Sequence, residues 1–448
     1  MTRRTFLSTA AVAAAPSSKP NLLFIVVDQL SGLALPVHDS NARMPNVTRL
    51  CQSGVTFTTA YSAGMTCGPS RASLETGLPT QTHGVGAGFK LAAETPSLSK
   101  ALAANGYALS HPDGYSLEAE RELHERWLTS LGYENPTSIY GSPFLARYAD
   151  LPLKWKCGRA GVAPEHGFEA YCAQRAMRFL EVNRERPFAC FLQLRGPHDP
   201  YMVPRPYDSL IDPASLALPP FRAGEFDRKP VRQQRAFQTQ GASKMSDEMI
   251  RRVLALYYGM AAYSDNAIGQ VLTRLEELRL RENTVIALVA DHGDTMGRHR
   301  MMSKDFAFYE PAIRIPMIFS APGAKQGVTN ADPVSGIDVF PTLCDLMGFA
   351  KPAGIAGESL VGRWNGSERN PERAIFAAQG APGKNRAAMV RTGRYKFARY
   401  DDGGEELYDL SSDPNELENL AESASHAAVR KNLEGELRGH ERSYAFRT

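Results

Sequence analysis

Asn21-Leu22-Leu23-Phe24-Ile25-Val26-Val27-Asp28 is the stretch on which the fold turns. Its apolar run has the length of a strand, and it is unbroken rather than alternating. That pattern marks a strand covered on both faces, as in a parallel sheet. Phe188-Ala189-Cys190-Phe191-Leu192-Gln193-Leu194 and Thr284-Val285-Ile286-Ala287-Leu288-Val289-Ala290 read the same way. Each run is followed by polar residues that carry chemistry: Asp28-Gln29, then Pro197-His198-Asp199, then Asp291-His292-Gly293-Asp294. In open α/β sheets ligands bind beyond the carboxyl ends of the strands. The chain is therefore expected to be an α/β protein with its chemistry gathered at one sheet edge.

Asp28 suits a hard divalent cation or a helix N-cap equally well. Asp291 and His292 add oxygen and nitrogen donors for a metal. His198, on a proline-bounded loop, reads as a general acid or as a turn histidine bonded to backbone. Between the first two runs lies Met65-Thr66-Cys67-Gly68-Pro69-Ser70-Arg71-Ala72-Ser73-Leu74-Glu75-Thr76-Gly77. It combines a cysteine, a rigid turn, a hydroxyl and an arginine with a helix-like segment closed by glycine. A thiol beside Arg71 at a helix N-terminus is expected to have a lowered pKa. Upstream, Pro45 to Ser53 reads as a helix closed by Gly54, and Val55 to Ser62 alternates like one strand.

The rest of the chain sets limits. Its 448 residues are 43% hydrophobic and 22% charged, the balance of a globular protein with a large core. A formal net charge of +3, without basic blocks, gives nucleic acid binding no electrostatic support. No apolar run reaches membrane-spanning length. The six cysteines form no C-x-x-C pair; Cys157 and Cys172 either close a loop in an oxidising compartment or stay unpaired. Arg3-Arg4-Thr5-Phe6-Leu7, followed by a short alanine-rich run, reads as a twin-arginine-type export signal over residues 1–18. It predicts a periplasmic or secreted protein. Met249 to Leu280 reads as a long amphipathic helix with Tyr257, Tyr258 and Tyr263 packed inward. Residues 373–410 break into short strands with glycine-rich turns, an antiparallel sheet, and Asp413-Pro414-Asn415-Glu416 is expected to open the last helical region.

Cys67-Gly68-Pro69-Ser70-Arg71, with Gly77 in step, resembles the signature of the type I sulfatases. Asp after the first strand, the Pro-Asn helix, Gly54-Val55-Thr56-Phe57, Pro-His-x-Pro at 197–200, and Thr392-Gly393-Arg394-Tyr395-Lys396 with Leu407-Tyr408-Asp409-Leu410 extend the match over most of residues 20–420. The resemblance implies an alkaline-phosphatase/sulfatase-like fold, with a large mixed, mostly parallel sheet sandwiched by helices. A catalytic domain over 20–365 and a C-terminal antiparallel-sheet subdomain with a helix over 366–448 follow from it. It implies a sulfuric ester hydrolase whose Cys67 is oxidised by a maturase to formylglycine. One hydroxyl of the hydrated aldehyde attacks sulfur and the other expels sulfate. Asp28, Gln29, Asp291, His292 and the Cys67-derived group would hold a divalent metal, Ca2+ first, with Mn2+ or Zn2+ as alternatives. Arg71 would steady the aldehyde, Lys304 would bind the sulfate of a sulfated saccharide or aryl ester, and His198 would protonate the leaving alcohol.

Two features depart from the pattern. Gln29 stands where the family commonly has a second aspartate. Ala108-Leu109-Ser110-His111-Pro112-Asp113-Gly114-Tyr115 replaces the strand that usually ends in Gly-Lys-Trp-His. His111 and Tyr115 are candidate substitutes for those contacts, or turn and packing residues. The related phosphonate monoester hydrolases also lack that lysine and histidine, and Asp-Gln occurs both in them and in the choline-sulfatase-like branch. A phosphonate monoester or phosphodiester hydrolase, and an inactive sulfatase-like binding protein, are therefore the alternative readings.

Overall fold

In the computed structural model the three apolar runs lie side by side in a seven-stranded sheet. Residues 19–444 are described, apart from 87–89, 112–116, 135–154, 241, 305, 365–367 and 382–383. The segment read as an export signal and Tyr115 fall outside the described residues. In chain order the strands are β1 (Asn21–Val27), β2 (Val55–Phe57), β3 (Ala108–Leu109), β4 (Phe188–Leu194), β5 (Thr284–Val289), β6 (Met317–Ser320) and β7 (Val328–Asn330). Their order across the sheet is β7-β2-β6-β5-β1-β4-β3. β1 runs parallel to both β4 and β5, and Phe24 pairs with Phe191 on one side and Ala287 on the other. Only β6 runs antiparallel to its neighbours. Every residue of β1, β4 and β5 is buried, so helices cover both faces, as the unbroken apolar runs require.

The helices that matter to the site are α1 (Cys67–Thr76), α2 (Phe168–Asn183) and α3 (Asp247–Glu277). Ser246 caps α3, its hydroxyl accepting from the Met249 N–H at 3.2 Å. α2 packs against β4 and α3.

Two local expectations change. Val55 to Ser62 is two strands, not one: Thr58 turns aside to donate to the Asn330 carbonyl at 2.9 Å, and Ala60–Tyr61 joins a separate three-stranded sheet. Gly54 does follow the helix over Pro45–Ser53, but with extended backbone (φ −146°). Glycine is needed there for room, since a Cβ would lie 2.2 Å from the Phe319 carbonyl oxygen.

The C-terminal region forms a four-stranded antiparallel sheet of β8 (Ile375–Ala381), β9 (Lys384–Arg391), β10 (Tyr395–Tyr400) and β11 (Glu405–Asp409). Helix α4 (Ala427–Ser443) packs on β9 and β10. Ala378 of β8 donates to the Ala63 carbonyl at 3.0 Å, four residues before Cys67. The last helix starts later than Glu416 because Glu416 is drawn inward. It takes a left-handed φ of 57°, accepts the Glu310 N–H at 2.7 Å, and pairs with Lys396. Lys396 also pairs with Glu310 at 3.0 Å, and all three side chains are buried.

Two buried carboxylates thus share one lysine. Burial and the Glu310 charge push Glu416 up to about 7, from an ordinary value of 4.5, despite Lys396. The folded chain holds this proton more tightly than the unfolded chain. The linked stability is therefore present below about pH 4.5 and is lost as the pH rises through about 7. The loss is on the order of 3 kcal/mol. Glu416→Gln is expected to flatten the decline in urea-unfolding stability between about pH 4.5 and pH 7. Equal slopes for the two proteins would show that the pair does not control it.

Candidate active site

α1 delivers Cys67 and Arg71 from one turn to one place. Residues Gly68 to Leu74 of this helix are all buried, and it ends at Gly77 (φ 64°), whose N–H caps the Ser73 carbonyl. A side chain at Gly77 would also collide with Ile355. Ser70 faces the turn before the helix. Its hydroxyl lies 3.0 Å from that of Ser62, which donates to the Asp291 carbonyl at 2.6 Å and also lies 2.7 Å from the Gly64 carbonyl.

Asp28 continues the ladder of β1 by one rung, donating its N–H to the Leu194 carbonyl at 2.9 Å. Asp291 and His292 follow β5, next to it in the sheet. Arg71 ties the two carboxylates together: Nη2 donates to Asp28 Oδ2 at 3.1 Å and Nε to Asp291 Oδ2 at 2.8 Å. Its Nη1 donates to Gln193 Oε1 on β4 at 2.7 Å. Asp28, Asp291 and His292 have no solvent exposure beyond 1%.

Charge balance at this edge is poor without a cation. Burial and the Asp291 charge raise the pKa of Asp28, against the pull of Arg71. Burial works on Asp291 too, but His292, Arg71 and the Gln29 N–H outweigh it and hold that carboxyl below its ordinary range. His292 Nδ1 lies 3.0 Å from the Gly293 carbonyl and so carries the proton, which leaves the Nε2 lone pair facing the carboxylates. One ligand atom from each of Asp28, Cys67, Asp291 and His292 lies within 4.8 Å of the others. Two buried carboxylates and a neutral imidazole nitrogen aimed at one point are a donor set that fits a divalent cation.

Cys67 corrects one expectation. Its Sγ lies 3.1 Å from His292 Nε2 and 3.7 Å from Asp28 Oδ1. Burial and the Asp28 charge push the thiol well above its ordinary value, and Lys304 and Arg71 do not compensate. The helix terminus and Arg71 do not produce a thiolate, because the carboxylates that Arg71 serves lie against the sulfur.

The loop after β4 and the loop after β5 add a second group. His198 Nδ1 donates to the Asp199 carbonyl at 2.6 Å, and its Nε2 accepts from Lys304 Nζ at 2.6 Å. Burial and the Lys304 charge bring His198 down to about 4, so it is neutral at neutral pH. Lys304 is 5% exposed, not a surface lysine, and it also donates to Gln29 Oε1. The structure thus brings Cys67, Arg71, Asp28, Asp291, His292, Lys304, His198 and Gln29 to one edge. The Gln29 oxygen is engaged by Lys304.

His111 is elsewhere. Its Nδ1 lies 3.0 Å from Ser110 Oγ and its Nε2 2.8 Å from Glu120, which Arg175 also pairs. These residues line a cavity of about 90 Å³ that reaches Gln193. Sequence reasoning missed Gln193, the next-to-last residue of an apolar strand; a lone amide in such a run was the available signal. It also assigned only packing to Tyr257. That hydroxyl accepts from the Ser31 N–H at 2.9 Å and donates to the Gln29 carbonyl at 3.0 Å, bracing the turn after Asp28.

The sulfatase family model matches residues 20–349, and the model of the N-sulphoglucosamine sulphohydrolase C-terminal region matches 297–443. The chain is 28% identical over 431 residues to a choline-sulfatase of Rhizobium meliloti, covering 91% of this chain and 83% of that protein. It is 27% identical over 455 residues to a Delta 4,5-hexuronate-2-O-sulfatase of Bacteroides thetaiotaomicron, covering 94% and 89%. Among solved structures, a phosphonate monoester hydrolase from Silicibacter pomeroyi superposes with a TM-score of 0.83 at 24% identity, covering 96% of each chain. A 2-O GAG sulfatase superposes at 0.73 and 24%, covering 95% of this chain and 93% of that one. The site described above lies on a fold shared with these proteins, and the family match covers most of the sequence. The chain belongs to the sulfatase family, within the alkaline-phosphatase-like superfamily. It is a sulfuric ester hydrolase.

Proposed function

We propose that this enzyme hydrolyses sulfate esters with a nucleophile derived from Cys67 by oxidation to formylglycine, on substrates that are sulfated saccharides or small sulfated alcohols. The observation that carries the reading is the setting of Cys67. Its thiol is held protonated against a carboxylate and a histidine, where an unmodified sulfur is a poor nucleophile. The formylglycine would supply an oxygen nucleophile, and a divalent cation held by Asp28, Asp291 and His292 would neutralise sulfate oxygens.

The chain's own residues do the remaining work. Arg71 fixes both carboxylates relative to α1. The Lys304 ammonium, desolvated at the same edge, favours an anionic ester over its neutral alcohol. His198 receives a hydrogen bond from Lys304 at Nε2, so the pair holds a proton within reach of a departing oxygen. Ca2+, Mn2+ and Zn2+ are the candidate metals; carboxylates suit Ca2+, while the His292 nitrogen suits Mn2+ or Zn2+. Oxidation of Cys67 would need a maturase, and export through the signal read at residues 1–18 would place the enzyme in the periplasm or outside the cell.

Phosphonate monoester hydrolysis is the second reading, motivated by the stretch from Ala108 to His111, which lacks the lysine-histidine pair of the common sulfatase pattern. Turnover of 4-nitrophenyl sulfate against 4-nitrophenyl phenylphosphonate separates the two. After co-expression with a maturase, mass spectrometry of the peptide spanning Cys67 is expected to show the thiol replaced by a carbonyl oxygen. Sulfate turnover should exceed phosphonate turnover. Unmodified Cys67 with no bound metal and no turnover would end both enzymatic readings of this site.

A further inference from the structure

Asp294, at the end of the Asp-His-Gly-Asp stretch, has no exposure to solvent and lies behind the reacting groups. Its Oδ1 accepts the Met296 N–H at 2.8 Å and the Ser303 N–H at 3.0 Å. Its Oδ2 accepts the Tyr201 hydroxyl at 2.7 Å and Gln29 Nε2 at 2.6 Å. The other acceptor for Gln29 Nε2 is Asp199 Oδ1 at 3.3 Å, itself held by the Ser303 hydroxyl at 2.8 Å.

This settles which way the Gln29 amide points. Its nitrogen side meets two carboxylates, which can only accept. Its oxygen side meets the Lys304 ammonium, which can only donate. Rotated by half a turn, the amide would set its oxygen against two carboxylates and its N–H groups against an ammonium. Lys304 in turn donates to His198 Nε2. A continuous chain of hydrogen bonds therefore runs from Asp294 through Gln29 and Lys304 to His198.

We propose that Asp294 is a positioning residue that locks the Gln29 amide with its oxygen toward Lys304, and so holds the Lys304 ammonium against His198 where a leaving oxygen is protonated. The inference rests on the sulfate-ester reading of the site. It also explains why an amide is tolerated at position 29. With Asp294 and Asp199 fixed behind it, a carboxylate there would make three buried anions in contact. Positions 29 and 294 form a complementary pair, one amide and one acid.

The test is a swap of that pair, assayed on 4-nitrophenyl sulfate and on phenyl sulfate, whose leaving group is poorer. Asp294→Asn offers an N–H to Gln29 and lets its amide turn; Gln29→Glu brings a third carboxylate. Each single variant is expected to lose about tenfold more kcat on phenyl sulfate than on 4-nitrophenyl sulfate, because protonation of the leaving oxygen matters more for the poorer leaving group. KM should change less than kcat. The double variant Gln29→Glu/Asp294→Asn restores a donor facing an acceptor at the contact between positions 29 and 294, while the new carboxylate at 29 still faces Asp199 Oδ1, and is expected to recover part of the loss. A double variant no better than the worse single, or equal losses on both esters, would overturn the proposal. If Asp294→Asn does not accumulate, Tyr201→Phe removes one donor from the same carboxylate. It should show the same dependence on leaving group at about threefold, and a uniform loss there would overturn the proposal equally. Wild-type protein inactive on both sulfates would instead sink the sulfate-ester reading; active wild type with unaffected variants sinks only the role of Asp294.

Discussion

Cys67→Ala is expected to lower kcat/KM on 4-nitrophenyl sulfate by about 10^4-fold or more, with the protein still folded. The side chain is small and partly buried, and its removal takes away no hydrogen bond on which α1 depends. Gly77 closes the helix and Ser62 anchors the preceding turn to the Asp291 carbonyl, and both contacts remain. What is lost is the atom that faces Asp28 and His292 at the centre of the site. Cys67→Ser is the sharper variant. A serine hydroxyl would occupy the same place and could attack an ester once, but it cannot expel the covalent product by returning to an aldehyde. A single burst without steady turnover is therefore expected from Cys67→Ser. The measurement is pre-steady-state release of 4-nitrophenol together with the mass of the intact protein. Steady turnover by Cys67→Ser at wild-type rate would show that no modified side chain is required.

The chain's central strands could be read from sequence because burial on both faces leaves an unmistakable trace: β1, β4 and β5 carry no alternation to confuse with a surface strand or an amphipathic helix. Strand ends then placed Asp28, His198, Asp291 and His292 at one edge, since parallel neighbours must finish on the same side. The resemblance supplied Cys67, Arg71, Gln29 and Lys304, and the structure brings all eight together. What stayed hidden depends on side-chain direction. The raised pKa of Cys67 follows from burial and from a carboxylate 39 residues away, neither of which a local rule about helix termini contains. The two acids that orient Gln29 come from different loops. The split of Val55 to Ser62 was invisible because both halves alternate; only the Thr58 contact with Asn330 divides them. Lys396 could be matched to a family and Glu416 read as a helix start, but neither could be explained. Their explanation is a buried ion cluster with Glu310 that fastens the C-terminal sheet to the segment following Lys304.

Stripping divalent cations with a chelator is expected to abolish turnover and to lower the melting temperature, and adding one cation back should restore both. The reason is the imbalance at the sheet edge. Asp28 and Asp291 are buried side by side, and Arg71, which pairs with both, also donates to Gln193. A cation bound only by the folded chain stabilises it by about 4 kcal/mol when present at a thousand times its dissociation constant. Asp291→Ala separates the contribution of the donor set from that of the ion. It removes an acceptor for Arg71 Nε and for the Gln29 and His292 N–H groups, as well as a metal donor. Breaking one partner of such a buried pair costs about 3–5 kcal/mol. Asp291→Ala should therefore melt lower than wild type even in the presence of chelator, and added cation should recover little of the difference. Asp28→Asn is the milder change, since an amide keeps the shape and can still accept from Arg71. It is expected to fold, to weaken cation binding measured by calorimetry, and to lose activity in proportion to that weakening. Restoration by Ca2+, Mn2+ and Zn2+ added one at a time identifies the ion. A chelated wild-type protein with unchanged melting temperature and turnover would show that this cluster works without one.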